Sequence, residues 1–160
     1  MIILLDTSFL INLLSENAPF HERAMEFYAH FLKDKSVLKV STIAISEYAV
    51  KDEVQHLPLR NLQILPFNFL HAEKSGLFGR ISNKCRKDSP DPAYGRTMVL
   101  SDSKMFAQVE VEEINLVASA DHRAMEVYKR LKEEGAAHFE YLDITEVDCY
   151  QYFGELHLVD

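Results

Sequence analysis

Four acidic residues sit where acids are costly. Asp6 directly follows the apolar run Ile2-Ile3-Leu4-Leu5 and precedes Thr7-Ser8-Phe9-Leu10; Asp121 repeats the design after Ile114-Asn115-Leu116-Val117-Ala118-Ser119-Ala120. Glu47 falls at helical spacing with Ile43 and Val50, and Asp102 with Met98, Met105, Phe106 and Val109, each on an apolar stripe. An ionised carboxylate facing apolar surroundings needs a partner or a cation. Acids brought together repel one another and hold their protons more tightly unless a cation offsets them. Oxygen-only ligands suit Mg²⁺ or Mn²⁺ rather than zinc. Such ions act on phosphates, neutralising charge and activating water for in-line displacement. Plainer roles remain open at each position: Glu47 at a helix edge meeting solvent or a lysine, Ser101 or Asp102 as a helix cap, and Asp121 as the cap of the helix it precedes.

The elements that must position these acids are legible. Short apolar runs bounded by turn formers predict strands at 2–5, 37–40, 62–65, 114–118 and 139–142, the pattern of strands buried on both faces of a parallel sheet. Helical periodicity lies between them. Phe20, Ala24, Phe27, Tyr28 and Phe31 form one stripe, ending near Lys33-Asp34-Lys35-Ser36. Thr42 is placed to cap a helix running to about Val54. Further helices are expected over His71–Lys84, Val99–Glu113 and His122–Glu134, the last stopped by Gly135. Asp88 to Gly95, rich in turn formers, reads as a loop. Alternating strand and helix predicts an α/β fold with a mainly parallel sheet of about five strands and helices on both faces. Carboxyl ends of such strands share one edge, where open α/β sheets hold ligands.

At 160 residues the chain suits one domain, and 48% hydrophobic with 26% charged residues is ordinary for a water-soluble globular protein. No apolar run approaches membrane-spanning length, and no basic segment precedes Asp6 as a secretory signal would require, so a cytoplasmic location is expected. Cys85 and Cys149 are too few and too far apart for a disulfide framework or zinc site, and no histidine pair has metal-ligand spacing with a cysteine. Net charge is −8, which argues against indiscriminate nucleic-acid binding. The charge is uneven: residues 102–160 carry 14 acids and 5 bases, residues 1–101 carry 11 acids and 12 bases. Arg80, Lys84, Arg86, Lys87 and Arg96 stand against only Asp88 and Asp91, so a polyanion would meet that stretch. The stripe of Phe20, Phe27, Tyr28 and Phe31 is more aromatic than one helix face requires, and part of it is expected to form a homodimer or partner surface.

With these residues in place the chain resembles the PIN-domain nucleases. The family opens with a hydrophobic strand, Asp-Thr-Ser/Asn and an apolar helix, matched by Ile2–Leu5, Asp6-Thr7-Ser8 and Phe9-Leu10-Ile11. Its second acid, in a helix after the second strand, is matched by Glu47 in Ser46-Glu47-Tyr48. Its third opens a small-residue helix, matched by Asp102 in Ser101-Asp102-Ser103-Lys104. Its fourth follows a strand, matched by Ser119-Ala120-Asp121. The strand-then-helix stretch from Gln63 to Gly76 also fits, and the likeness spans residues 2 to 143. Two departures stand out. Arg123 occupies a position where the family often has a further acid, and the segment between Lys84 and Asp102 is long.

The resemblance implies a single PIN-like domain over residues 1–160 and a metal-dependent endoribonuclease. Small members similar to this chain are commonly VapC-type toxins, held inactive by an antitoxin and often dimeric. Asp6, Asp102 and Asp121 would hold Mg²⁺ or Mn²⁺, with Glu47 completing the shell or orienting the attacking water. Ser8 and Ser119 would bond a ligand or the scissile phosphate. Lys84, Arg86, Lys87 and Arg96 would position the RNA backbone, as phosphate contacts do. Two other classes stay open: a non-catalytic module of the same fold, and a phosphatase with Asp6 as nucleophile. The phosphatase usually shows a second acid two residues on, where Ser8 stands.

Overall fold

The computed structural model describes the backbone of residues 1–88 and 96–154, and the side chains outside 84–99. Strands β1 (Ile2–Leu5), β2 (Val37–Ser41), β3 (Gln63–Leu65), β4 (Leu116–Ser119) and β5 (Glu140–Asp143) form one sheet. Its order is β3-β2-β1-β4-β5, and every pairing is parallel. β1 is central, Ile3 lying beside Leu38 on one side and Leu116 on the other. The chain winds outward from β1 to β3, then crosses back to β4. Strand order therefore reverses between β1 and β4, which opens a crevice at their carboxyl ends.

Helices cover both faces. On one lie α1 (Thr7–Leu14), α2 (His21–Lys33), α3 (Thr42–Tyr48) and α7 (Cys149–Phe153); on the other lie α4 (Phe69–Asp88), α5 (Arg96–Val111) and α6 (His122–Glu133). The strand period of two assigns side chains to these layers. Ile3 and Leu5 of β1 pack with Phe9, Leu10, Phe27 and Phe31. Leu4, between them, packs with Phe78, Phe106, Val109 and Leu131.

The expected strands and the α/β class are all present, with ends shifted by one or two residues. Two expectations are corrected. The helix after β2 is capped by Ser41, whose Oγ accepts from the Ile43 N–H, and it ends at Tyr48 rather than near Val54. α4 and α5 each begin earlier than the apolar periodicity indicated. Of the aromatic stripe of α2, Phe27 and Phe31 are fully buried, while Phe20 and Tyr28 are half-buried against the same core. The expected loop at 89–95 lies outside the described residues. No described helix is long and apolar enough to cross a membrane.

After α6 the chain turns through Gly135 at φ +65°, a left-handed conformation that a side chain strains. Gly135→Ala is expected to cost about 1 kcal/mol. Thermal melting should show this as a drop of roughly 2–4 °C.

Candidate metal and phosphate site

Asp6, Glu47, Asp102 and Asp121 line one cleft of about 410 Å³, together with Thr7, Ser8, Lys51 and Arg123. Each acid arrives from a different element. Asp6 ends β1 and precedes α1 in extended conformation, but its side chain caps nothing in that helix. Instead Oδ2 accepts from Ser8 Oγ at 2.7 Å and from Ser119 Oγ at 2.8 Å, and the two hydroxyls are 2.9 Å apart. Ser119 stands at the end of β4, so this triad ties the two central strands across the crevice. The Asp6 N–H, donating to the Ala118 carbonyl at 3.0 Å, continues the tie. Burial raises the Asp6 pKa, against the lowering effect of the two hydroxyls.

Glu47 lies near the end of α3 and is held at both oxygens. Thr7 Oγ1 donates to Oε2 at 2.8 Å, and Ser101 Oγ donates to Oε1. The sequence placed Glu47 on a core face with Val50. Val50 is 85% exposed, and α3 stops before that face is completed, so Glu47 faces the cleft instead. Asp102 lies well inside α5, which begins at Arg96, so it caps nothing. Its pKa is pushed up to about 8, by burial first and then by the charges of Asp6, Asp121 and Glu47, with Arg123 opposing. Asp121 does cap α6: Oδ1 accepts from the Arg123 N–H at 2.8 Å. The same oxygen is 3.3 Å from Arg123 Nε.

Sequence reasoning gave no role in the site to three participants. Lys51 lines the cleft from the turn after α3. Arg123 stands in it as a cation where the resemblance leads one to expect a further acid. Tyr141 of β5 donates from its hydroxyl to the Asp121 carbonyl at 2.9 Å. Its phenol pKa is raised, by burial and then by Asp6. Lys51 lies four residues beyond Glu47 and Arg123 two beyond Asp121, whereas Tyr141 carries no such local signal. Ser8 and Ser119 direct their hydroxyls at Asp6. Lys84, Arg86, Lys87 and Arg96 lie outside the described side chains.

The donor set suits a hard divalent cation: four carboxylates without nitrogen or sulfur, one of them, Asp102, with its pKa pushed up to about 8 by burial and then by its anionic neighbours. Their oxygens stand wider than a single-ion cluster. Among the described residues, the set of three ligand atoms all within 4.8 Å of one another lies elsewhere, at His122, Asp143 and Glu146. A single ion would have to draw them in.

No protein-family model and no curated protein sequence matches the chain. Solved structures do. VapBC2 from Rickettsia felis, bound to a DNA fragment from its promoter, is similar at 16% identity with a TM-score of 0.54, over 89% of this chain and 100% of that one. VapC20 from Mycobacterium tuberculosis, a sarcin-ricin loop cleaving toxin, is similar at 15% identity and a TM-score of 0.51, over 78% of this chain and 93% of that one. DNA-bound VapBC from Salmonella typhimurium is similar at 15% and 0.55, over 90% and 98%. At such identity the likeness speaks for architecture, and the five-stranded parallel sheet with its flanking helices is the PIN-domain fold of the VapC-like structures.

Proposed function

We propose that the chain is a Mg²⁺- or Mn²⁺-dependent endoribonuclease that hydrolyses RNA phosphodiester bonds, acting as the toxin of a toxin–antitoxin pair. The observation that carries this reading is the meeting of four acids from four elements in one cleft with two cations, Lys51 and Arg123. In this reading Asp6, Asp102 and Asp121 hold the ion and Glu47 completes the shell. When bound, the ion supplies charge neutralisation at the phosphate and Lewis-acid activation of water.

The chain's own residues do the rest. Ser8 and Ser119 occupy one oxygen of Asp6, which fixes the carboxylate plane and leaves the other oxygen for the ion. Thr7 and Ser101 hold Glu47 at both oxygens, so its orientation is set before substrate arrives. A fixed carboxylate at the cleft edge is suited to accept a proton from the attacking water. Lys51 and Arg123 offer charge to the scissile phosphate, and Lys84, Arg86, Lys87 and Arg96 supply the wider backbone contacts. The RNA-cleaving description of VapC20 supports the substrate class. The VapBC complexes support an antitoxin as partner. Self-association as a homodimer belongs to the same reading.

The test is cleavage of single-stranded and structured RNA by the purified chain, in Mn²⁺ and in chelator. Internal cuts that need Mn²⁺ are expected, and cutting indifferent to chelator would overturn the reading. Protein that binds both Mn²⁺ and RNA without cutting would be the non-catalytic module. Lys51→Ala is expected to weaken RNA binding and to reduce the slope of log affinity against log salt by about one, with Mn²⁺ affinity unchanged.

A further inference from the structure

Asp143 closes β5 and is 3% exposed. Its Oδ1 is satisfied by the Thr145 N–H at 2.9 Å and the Thr145 hydroxyl at 2.7 Å. Its Oδ2 is buried with no hydrogen-bond partner. A buried carboxylate oxygen left unpaired is costly, and an ion is one of the few things that relieves it. That oxygen lies 3.4 Å from His122 Nδ1, and Glu146 Oε1 lies 3.9 Å from the same nitrogen. Both separations exceed a good N–H···O bond. They approach the spacing of ligands around one ion: atoms roughly 2 Å from a tetrahedral zinc stand roughly 3.3 Å apart.

The three residues are held by bonds that do not use the facing ligand atoms. His122 opens α6 directly after the Asp121 cap. The Glu146 N–H donates to the Asp143 carbonyl at 3.2 Å, folding the turn back over the strand end. Arg23 Nη1 reaches from α2 to donate to the carbonyls of Ile144 at 3.1 Å and Thr145 at 2.8 Å. The turn is therefore pinned at its middle, and Thr145 fixes the carboxylate from behind. A ligand set with a supporting shell of this kind is how metal sites are oriented.

We propose that His122, Asp143 and Glu146 form a second divalent-cation site, separate from the four-carboxylate cleft, that takes Zn²⁺. Imidazole distinguishes it from the cleft, since nitrogen ligation favours zinc over magnesium. The ion would join the first residue of α6 to the turn after β5, one residue from Asp121. It does not depend on the nuclease reading.

The test is calorimetric titration of the chelator-stripped full chain with Zn²⁺, in an excess of Mg²⁺ that occupies the carboxylate cleft. One equivalent of Zn²⁺ is expected. His122 and Glu146 are exposed, so His122→Ala and Glu146→Gln should fold, and each should weaken Zn²⁺ binding roughly tenfold or more. The double variant Asp6→Asn with Asp102→Asn should bind Zn²⁺ as the parent does. Zn²⁺ binding that survives His122→Ala but disappears in the double variant would overturn the proposal. So would a parent chain that takes up no Zn²⁺, which would leave His122 as an ion-pair partner of the two acids.

Discussion

Asp102→Asn is expected to remove metal-dependent RNA cleavage while leaving the metal-free protein as stable as the parent or more so. The substitution keeps the volume and removes one negative charge from a cleft in which Asp6, Asp121 and Glu47 already burden Asp102. A structural acid behaves in the opposite way. An Asp that caps a helix or completes an ion pair loses about 0.5–2 kcal/mol when neutralised. Asp102 caps nothing, because α5 begins well before it. Loss of a ligand should cost a few kcal/mol of transition-state stabilisation, or a rate lower by about a hundredfold to a thousandfold. The check is two measurements per variant: melting in chelator, and initial cleavage rate in Mn²⁺. An Asp102→Asn protein that melts normally and cleaves like the parent would end the nuclease reading.

Metal-free stability is expected to fall as pH rises from about 5 to 8, and bound metal should cancel the fall. Asp102 releases its proton near pH 8 in the folded chain but near the ordinary carboxylate value when unfolded. Between those values the folded state holds the extra proton, so raising the pH favours unfolding. The slope reaches at most about 1.4 kcal/mol per pH unit for one such proton. Asp6, also raised, acts in the same direction. A cation competes with that proton, so Mn²⁺ should bind more tightly toward pH 8. At a hundred times its dissociation constant it should add about 2.7 kcal/mol. In a chain of this size that is roughly 5–10 °C in melting temperature. Asp102→Asn should flatten the pH profile and shrink the Mn²⁺ shift. A parent profile that is flat, or that rises with pH, would mean the acids do not interact as the cleft geometry requires.

The fold was readable because its signals are local. Ile2–Leu5 and Leu116–Ser119 are apolar runs that admit few alternatives to buried strands, and Asp6 and Asp121 follow them directly. Glu47 was found for a reason that fails: its supposed core face includes Val50, which is exposed. Periodicity cannot show that α3 stops at Tyr48. Sequence does not reveal which α2 aromatics the core covers fully, Phe27 and Phe31, and which it leaves half-buried, Phe20 and Tyr28. Tyr141 reaches the cleft only through tertiary placement, while Lys51 follows Glu47 by four residues. His122 and Asp143 meet across 21 positions of sequence, and no spacing rule anticipates a histidine bound by the turn of another strand.

The central place of β1 has a consequence for a chain still being synthesised. β1 can pair with β2 once residue 40 is available, but its other edge stays open until β4, at residues 116–119, has been made. Until then the first strand presents a row of unpaired amides and carbonyls to any neighbouring chain. The cleft matures on the same schedule. A nascent chain folded through α3 holds Asp6 and Glu47, with no Ser119 to brace Asp6 and neither Asp102 nor Asp121 to complete the acid cluster. Any activity that needs all four acids switches on only after β4 has docked, so the topology itself delays it until residues 1–121 have been made.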